Sequence, residues 1–600
     1  MCAIAGIYVQ DNSLQDKIER EVNSMLNIMR HRGPDEIGIK TINKTIIANG
    51  RLVIVDKKSG QQPISNESGK LWITFNGEIY NFRSIKKSLL SKGHIFKTSS
   101  DTEVILHGYE EYGVGILQKL NGMFAFCISD GKNIFLARDR LGEKPLYYRI
   151  EGKTFKFASE IKALLLPKEK FSLNEAYLAI ETSVNYKPLF TQIKELPAAH
   201  YLIYDGDKIN LSCYWRISKK LKSFDKYKEK DLIEHLRTLI IKVVKARVPE
   251  DQEFGVFASG GLDSAIIASI AKPQYLFTSI TQEKKHNEEQ FAEILSKSIK
   301  SRLIKVYPRI NDFLNDITKI VWHLNEPTTT LAAFPLYELS KHASKYVRVI
   351  LNGNGGDELF GGYTRYLALY LESIIKQCQQ LYGYEPLATH FWGKNYAEAL
   401  PIRYYQLIHR SKYDSNEVSE IINKSFKLFP NQPINAAGYA DLQLSFPPLL
   451  RTEDRMTMAW GIEARSPFLD HELVEFVFSL PDQMKISKRK KEQFVMKNIL
   501  REATKSFLPK EIFYRNDKIG FPSPVANWLN KELDSIMRNI ISEFRSIKEF
   551  LPVQNSLNPL ALGEYNRSKW QILQLTIWHM LFIQNLSHRK IHDRYLSLKI

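Results

Sequence analysis

The sequence is poor in cysteine. Its four cysteines, Cys2, Cys127, Cys213 and Cys378, are widely spaced and form no C-x-x-C pair. Disulfide frameworks and cysteine-based zinc sites need closer spacings, so neither a disulfide scaffold nor a zinc site is suggested. Thiols stay reduced inside the cell, and we therefore expect a cytoplasmic protein.

A long uninterrupted apolar run is also missing. The strongest candidate, WQILQLTIWHMLFIQNL near the carboxyl end, is broken by glutamine, threonine and histidine. This composition predicts a buried amphipathic helix and no membrane span. The amino-terminal residues do not place a basic region before an apolar stretch, so no secretory signal is expected.

Positive charge is in excess. The formal net charge is +18 at pH 7, with short basic clusters such as SKRKKEQF and SHRKIHDRYLSLK. Because the charge is spread along the chain and no nucleic-acid-binding motif is recognisable, a solvated surface suited to small anionic substrates is favoured, and no nucleic-acid partner is expected. The alternative, nucleic-acid binding, has only charge in its favour and would show as salt-dependent affinity.

Two patterns divide the 600 residues, which are too many for one hydrophobic core. Residues 2–210 hold short β-like runs separated by turns, with a helix near TEVILHGYEEYG, which predicts an α+β domain of layered antiparallel sheets. Residues 230–600 alternate strands with helices and become mostly helical from about residue 365. This order predicts an α/β domain with a doubly wound parallel sheet and a helical C-terminal part. The lysine-rich stretch ISKKLKSFDKYKEKD is a plausible connection.

The stretch FASGGLDS places two glycines where an apolar strand ends and a helix begins. Glycine lets the backbone approach an anion closely, and a helix N-terminus offers free N–H groups. Ser259 and Ser264 add hydroxyl donors, whereas Asp263 would repel phosphate unless Mg²⁺ lay between them. The stretch predicts a pyrophosphate loop that differs from a Walker loop, with a plain strand-to-helix corner as the alternative.

A second glycine-rich stretch, LNGNGGDELFGGY, also follows an apolar strand. Ligands of parallel sheets bind in the crevice at the carboxyl ends of the strands, so both stretches would lie beside a bound ATP. Asp357 is therefore a second candidate Mg²⁺ ligand, and a helix N-cap is the structural alternative for it.

Cysteine occupies the second position of the chain, in MCAIAGIYVQ. Removal of Met1 would give Cys2 both a thiol and a free α-amine, whose pKa is about 7.7–8.0. Such an amine can accept the thiol proton and activate the nucleophile. Cys2 is therefore a candidate nucleophile, and an ordinary small residue at a chain end is the alternative.

Three amino-terminal motifs, RLVIVD, FNGEIYN and SSDTEVI, have the groups needed to bind glutamine. The Asn76 side chain and the Gly77 N–H can form an oxyanion hole. Arg51 can hold an α-carboxylate, and Glu78 and Asp101 can receive an α-ammonium group. Each motif alone has a structural alternative, since Asn-Gly is a common turn and arginine is common at solvated strand edges.

Over nearly its whole length, the chain resembles the glutamine-dependent asparagine synthetases. The resemblance rests on the motifs above and on RHRGPDE, RLGEKPLYY, FASEIKAL, EDRMTMAWGIEARSPFLDHELVEF and DKIGFPSP. The resemblance implies an N-terminal-nucleophile glutaminase domain over residues 2–210 and an ATP-pyrophosphatase-type synthetase domain over 230–600. It also implies that ATP yields AMP and pyrophosphate through an acyl-adenylate, and that ammonia passes between the sites through a tunnel. The expected ligands are glutamine, ATP, Mg²⁺ and aspartate or another carboxylate, and a homodimer is possible.

The resemblance also implies a role for individual residues. Cys2 would be the nucleophile, with Asn76 and Gly77 assisting it. The implied binding residues are Arg51, Asn76, Gly77, Glu78 and Asp101 for glutamine; Ala258, Ser259, Gly260, Gly261, Asp263, Ser264, Ile280, Asn352, Gly353 and Lys497 for ATP; and Asp263 and Asp357 for Mg²⁺.

The sequence departs from asparagine-forming relatives at two positions. Asn354 stands where they commonly carry an acid that could accept a proton, and Leu331 stands where some carry an arginine. Asparagine synthesis is favoured. The alternatives are the same chemistry on a uronic acid or peptide carboxylate, and a glutaminase-fold binding protein without chemistry, against which the intact Cys2, Asn76, Asp263 and Asp357 argue.

Overall fold

The computed structural model describes residues 2–10, 15–224, 226–281, 288–328, 330–377, 399–488, 494–515, 523–554 and 568–597. Cys378, most of DKIGFPSP and the centre of SKRKKEQF lie outside these residues. The strands within them are β1 (Cys2–Tyr8), β2 (Glu36–Ile42), β3 (Thr45–Arg51), β4 (Ile64–Ser65), β5 (Trp72–Ile79), β6 (Gly122–Ser129), β7 (Ile134–Arg138), β8 (Tyr147–Glu151), β9 (Thr154–Ala158), β10 (Lys194–Glu195), β11 (His200–Tyr204), β12 (Ile209–Cys213), β13 (Gly255–Phe257), β14 (Tyr275–Ser279), β15 (Arg302–Val306), β16 (Val349–Leu351), β17 (Glu463–Arg465), β18 (Ile486–Lys488) and β19 (Phe494–Met496).

The amino-terminal part is built on two antiparallel sheets, which confirms the predicted stacked arrangement. Their strand orders are β10-β8-β9-β1-β3-β2 and β12-β11-β7-β6-β5-β4. Along β1, Ile4 and Tyr8 join the core that contains residues of both sheets, whereas Ala3, Ala5 and Ile7 join the core on the opposite face. Burial of both faces explains why β1 reads as a nearly continuous apolar run.

Helices cover the outer faces of these sheets. Gln15–Ile28 packs against the sheet of β1, and Asp101–Tyr112, the helix predicted near TEVILHGYEEYG, packs against the sheet of β5. Ser100 caps the second helix by accepting the N–H of Thr102. The helices and turns of this part are Gln15–Ile28, Arg30–Arg32, Phe82–Leu90, Asp101–Tyr112, Gly113–Gly115, Ile116–Lys119, Ile161–Ala163, Glu175–Ile180 and Ile217–Lys219.

The carboxyl-terminal part contains a five-stranded parallel sheet in the order β15-β14-β13-β16-β17. Along β16, Val349 and Leu351 enter one helix-covered core and Ile350 enters another, so both faces are covered, as predicted for a doubly wound sheet. The strand order reverses between β13 and β16. The loops that follow these two neighbouring strands therefore border the crevice that such sheets use for ligands.

Most of the remaining described chain is helical, as predicted. The helices and turns are Glu229–Lys245, Leu262–Ala271, Glu289–Ile299, Ile310–Leu324, Ala333–Ala343, Gly356–Phe360, Thr364–Gln377, Leu400–Ile408, Asn416–Leu428, Pro433–Asp441, Phe446–Met458, Pro467–Leu469, His471–Ser479, Asp482–Lys485, Asn498–Thr504, Lys505–Phe507, Lys510–Phe513, Val525–Asn530, Asp534–Ser546, Lys548–Phe550, Leu551–Gln554, Ser568–Phe582, His588–Ile591 and the π-turn His592–Leu596.

The apolar run near the carboxyl end forms the helix Ser568–Phe582, but the helix is not amphipathic. Residues 569–581 are all buried, so it is a central core helix with no solvated face. Two of its buried polar groups bind distant backbone groups: Gln574 Oε1 accepts the N–H of Thr328, and Trp578 donates to the Asn325 carbonyl. No helix in the described ranges is long and apolar enough to span a bilayer.

Candidate active sites

Cys2 begins β1 and lies opposite Arg51 of β3. It is buried, and its backbone N–H donates to Asn76 Oδ1 over 2.9 Å. Burial raises the pKa of the Cys2 thiol, and the N–H of Leu52 and the charge of Arg51 offset this only in part. The thiol therefore needs a base to become a thiolate at neutral pH.

Asn76 and Gly77 lie beside Cys2 on β5 and offer hydrogen-bond donors. Among the described residues, the buried Nδ2 of Asn76 has no hydrogen-bond partner. A buried donor left unpaired costs about 1–3 kcal/mol, so this amide is poised to bind an acceptor supplied by a ligand. Gly77 has φ +153°, and a Cβ there would lie 2.0 Å from the Met123 carbonyl oxygen, so only glycine fits.

Hydrogen bonds to nearby residues of the same sheet and turn fix the Arg51 side chain. Its Nη1 donates to Glu36 Oε2 over 2.8 Å, and its Nη2 donates to the carbonyls of Val55 and Asp56 over 2.8 and 2.7 Å. These bonds fix the guanidinium at the end of β3, next to the start of β1. Arg51 also organises the turn that follows β3.

The carboxyl groups of Glu78 and Asp101 are buried close to Glu463. Asp101 Oδ2 accepts the N–H of Ile79 over 2.8 Å. Burial raises the pKa of Asp101 to about 6 and that of Glu78 well above its usual range, and the negative charge of Glu463 adds to both shifts. A cation bound here, such as an α-ammonium group, would favour the ionised forms of both residues.

The wall of this acidic pocket includes β17 of the parallel sheet. Arg465 donates through Nε to Glu463 Oε1 over 2.6 Å, and its Nη2 lies 3.3 Å from Glu78 Oε1. Sequence reasoning did not assign these two residues, which are distant from Glu78 along the chain. The signal that could have found them was the motif GIEARSPFLD, in which both lie.

The second site is formed by the loops after β13 and β16. Gly260 has φ +69°, and Gly261 precedes the helix Leu262–Ala271. The two loops are in direct contact, because a Cβ on Gly353 would lie 2.7 Å from Asp263 Cβ. Two glycine-rich turns and a helix N-terminus thus meet at one edge of the sheet, as an anion site requires.

Lys497 joins the two aspartates of this site. Its Nζ lies 2.5 Å from Asp263 Oδ2 and 2.6 Å from Asp357 Oδ1. The sequence left its alignment ambiguous among neighbouring lysines, and the structure brings it between both carboxylates. Two carboxylates with the nearby hydroxyls of Ser259 and Ser264 form an oxygen-donor set of the kind that suits Mg²⁺.

The remaining residues predicted to bind ATP surround these loops. Ala258 and Ile280 follow β13 and β14, and their N–H groups donate to Phe277 and Val306. Asn352 Oδ1 accepts the N–H of Asn354 over 3.0 Å, whereas in the described part of the chain its buried Nδ2 has no partner. Like Asn76 Nδ2 in the first site, Asn352 Nδ2 is therefore an unpaired donor within the described residues, and it lies at the crevice.

Known families match both parts of the chain. The glutamine amidotransferase domain matches residues 1–215, and the asparagine synthase model matches residues 235–580, more than half of the chain. The chain belongs to the asparagine synthase family. Its relatives include the Bacillus subtilis (strain 168) asparagine synthetases [glutamine-hydrolyzing] 1, at 29% identity over 97% of both chains, and 2, at 32% identity over 87% of this chain and 73% of the relative.

A putative asparagine synthetase [glutamine-hydrolyzing] 2 of Methanocaldococcus jannaschii is 34% identical over 63% of this asparagine synthase-family chain and 78% of its own length. Among solved structures, the B. subtilis glutamine phosphoribosylpyrophosphate amidotransferase in complex with ADP and GMP aligns with a TM-score of 0.28 at 16% identity. That alignment covers 51% of this chain and 65% of the amidotransferase.

In this family member, Asn354 lies beside an acid. Its Nδ2 donates to Glu453 Oε2 over 2.5 Å. Glu453 lies on the helix Phe446–Met458 and is buried. Burial raises its pKa to about 8, although the charge of Lys144 acts in the opposite direction. Sequence reasoning identified the missing acid at 354 but not this neighbour, which lies in the quoted motif EDRMTMAWG.

Leu331 takes part in apolar packing. It is partly buried against a large hydrophobic core, and its carbonyl accepts the Ser523 hydroxyl over 2.9 Å. The position where some relatives carry an arginine therefore contributes no charge in this asparagine synthase-family chain.

Buried charged side chains lie between the Cys2 site and the loop that follows β16. Arg32 donates through Nε to the Cys2 carbonyl over 3.5 Å and through Nη1 and Nη2 to Asp454 over 2.7 and 2.9 Å. Asp454 is the neighbour of Glu453 along one helix, and Glu453 contacts Asn354. Two consecutive residues of this helix therefore contact, respectively, the first strand through Arg32 and the loop after β16 through Asn354.

Proposed function

We propose that this chain is a carbon–nitrogen ligase that uses glutamine and ATP to amidate a carboxylate, with aspartate as the favoured acceptor and asparagine as the product. The observation that carries the proposal is the connection of a buried Cys2–Asn76 pair to a two-loop aspartate and glycine site through Arg32 and Asp454. A relative that matches this chain over 97% of both lengths, and others that match most of it, carry the name asparagine synthetase, which supports the same activity.

In the glutaminase half, Cys2 attacks the side-chain amide of glutamine after Met1 has been removed. The free α-amine takes the thiol proton, since the buried thiol has a raised pKa. A thioester forms as the C–N bond breaks, ammonia leaves with the proton, and water then releases glutamate. The unpaired Asn76 Nδ2 and the Gly77 N–H bind the oxyanion, while Arg51, Glu78 and Asp101 hold the amino-acid end.

In the synthetase half, the loop residues Ser259, Gly260, Gly261 and Ser264 hold the pyrophosphate of ATP. Ala258, Ile280, Asn352 and Gly353 contact its adenosine part. Asp263 and Asp357 would hold Mg²⁺, which when bound supplies positive charge to the pyrophosphate. Lys497 adds a fixed cation, because its Nζ already lies between the two aspartates. The acceptor carboxylate attacks the α-phosphorus, and pyrophosphate leaves.

The proposed division into functional units follows this chemistry. Residues 2–210 form the glutaminase unit and residues 230–600 the synthetase unit, with the acidic pocket shared between them through Arg465. Ammonia would travel along the buried path near Arg32, which keeps it from bulk water.

Product analysis tests the overall reaction. The purified full-length chain with ATP, Mg²⁺, glutamine and aspartate should release asparagine, glutamate, AMP and pyrophosphate in equal amounts. ADP and phosphate would contradict activation by adenylation. Turnover of a uronic acid or a peptide carboxylate in place of aspartate, in a parallel screen, would favour the alternative acceptors.

Glu453 supplies the acid that position 354 lacks. When ammonia attacks the acyl-adenylate, a C–N bond forms, AMP leaves as the acyl C–O bond breaks, and the nitrogen must lose a proton. An asparagine side chain cannot accept this proton. Glu453 is the buried carboxylate in contact with Asn354, and it can accept this proton. Because the pKa of Glu453 is about 8, the fraction of Glu453 in the ionised, proton-accepting form increases as the pH rises through 8.

Replacing Glu453 by glutamine should therefore lower synthesis from saturating ammonia by about 10²-fold, the usual size of a general-base effect. The wild-type rate should rise with pH through a midpoint near 8 to a plateau at higher pH, and the variant should lose this step. The double variant Asn354→Glu/Glu453→Gln moves the acid to its neighbour and should recover part of the rate. The matched control is Glu420→Gln, at an exposed glutamate, which should keep the wild-type rate and pH profile. An unchanged pH profile in Glu453→Gln would refute the assignment of Glu453 as the base.

A further inference from the structure

Two histidines and two glutamates form a compact cluster outside both sites. One donor atom from each of Glu67, His94, His107 and Glu110 lies within 4.8 Å of the others. Glu67 lies between β4 and β5, His94 follows the helix Phe82–Leu90, and the last two share the helix Asp101–Tyr112. Three separate segments therefore bring metal-binding groups to one place.

The spacing of the donor atoms suits a metal ion. His107 Nδ1 lies 3.0 Å from Glu110 Oε2 and 3.1 Å from Glu67 Oε2, and His94 Nδ1 lies 3.1 Å from Glu67 Oε1. In a tetrahedral site with metal–ligand bonds of about 2.0–2.1 Å, neighbouring donors are about 3.3–3.4 Å apart. Small adjustments would open the cluster around an ion.

The other ring nitrogens of both histidines also have carboxylate partners. His107 Nε2 lies 3.3 Å from Glu103 Oε1, and His94 Nε2 lies 3.7 Å from Glu111 Oε2. Glu103 is itself fixed by the N–H groups of Lys97 and Thr98, over 2.8 and 2.7 Å. A carboxylate on the far nitrogen orients a histidine that binds metal and fixes the tautomer that leaves Nδ1 free to coordinate.

We propose that Glu67, His94, His107 and Glu110 bind one divalent transition-metal ion of the Zn²⁺ class. Imidazole nitrogens favour such ions over Mg²⁺ and Ca²⁺, which prefer oxygen donors. Four protein ligands leave no open position, so the ion has a structural role. The scarcity of cysteine argued against a zinc site of the cysteine type, and this cluster uses none.

The site would stabilise the glutamine pocket from outside. His107 and Glu110 lie on the helix that begins at Asp101, and Glu103 of the same helix holds the segment before it. An ion that joins this helix to the segments of Glu67 and His94 would therefore fix the position of Asp101. These ligands are positioning residues and do not contact the reacting atoms.

Metal analysis of the purified full-length protein tests the proposal without reference to asparagine synthesis. After growth with zinc, one equivalent of zinc should co-purify, and Co²⁺ added to the metal-depleted protein should give the intense visible absorption of a tetrahedral site. His94→Gln and Glu110→Gln should each weaken metal binding at least tenfold. Both side chains are partly exposed, at 14% and 23%, so these variants should fold.

Matched controls are His235→Gln, an exposed histidine remote in sequence from the cluster, and Glu420→Gln, and both should keep the metal. In the ligand variants the KM for glutamine should rise while synthesis from ammonia stays unchanged. Absence of stoichiometric zinc together with equal Co²⁺ spectra of wild type and His94→Gln would overturn the proposal. The cluster would then be a network of hydrogen bonds and ion pairs without a metal ion.

Discussion

Replacing Cys2 by alanine should abolish asparagine formation from glutamine, by at least about 10³-fold, as removal of a catalytic nucleophile does. Synthesis from added ammonia should persist, because the alanine leaves the loops after β13 and β16 untouched. The measurement is a paired assay of glutaminase activity and of ammonia-dependent synthesis. It separates loss of the nucleophile from loss of the fold, since an unfolded chain would fail in both.

Cys213→Ala is the matched control for this experiment. Cys213 is a half-buried free thiol at the end of β12, and its loss should leave both activities intact. Asn76→Ala should lower glutaminase activity by about 10²–10³-fold through the lost oxyanion donor. Glutaminase activity retained by Cys2→Ala would show that another group attacks glutamine and that the Asn76 contact is structural.

Replacing Asp263 or Asp357 by asparagine should lower synthesis from both glutamine and ammonia by on the order of 10²-fold or more. Either change removes one negative charge from the proposed Mg²⁺ site but keeps an oxygen donor. Glutamine hydrolysis should change little, because neither aspartate belongs to the Cys2 site or to the acidic pocket. The assays are pyrophosphate release with saturating ammonia and glutamate release without ATP.

The exposed Asp593→Asn, at a surface ion pair with Arg589, controls for a general effect of lost charge. The dependence on Mg²⁺ concentration adds a second readout, since Asp263→Asn and Asp357→Asn should need more Mg²⁺ for half-maximal rate. Normal pyrophosphate release by both variants would disprove the metal assignment. Lys497 would then be the main counter-charge of the pyrophosphate.

Much of the fold was predictable because it rests on local patterns. The alternation of strands with helices and the strand–glycine–helix order of FASGGLDS describe neighbours in sequence, so the doubly wound sheet and the positions of its loops were predicted correctly. The apolar run that became Ser568–Phe582 was predicted to be amphipathic, and this was wrong. The Gln574 side chain accepts the N–H of Thr328, which is distant along the chain, and no local pattern indicates such a contact.

The residues of the candidate sites also fall into two groups: those that short motifs predict and those that only the fold brings to the site. Cys2, Asn76, Asp263 and Asp357 lie in short motifs whose residue types already indicate their chemistry. Lys497 lay in a run of lysines, and sequence alone did not single it out. Its ion pairs with both aspartates require the chain to bring residues more than a hundred positions apart together.

By itself, the sequence determined the two kinds of sheet and the positions of the two glycine loops, and it predicted Cys2 as the nucleophile, because each depends on residues that are close along the chain. Only the tertiary structure decided that Arg465 lies beside Glu78, that Arg32 joins the first strand to Asp454, and that Glu453 lies beside Asn354. The physical reason is that a buried charge must be paired, and its partner is chosen by packing over hundreds of residues rather than by sequence proximity.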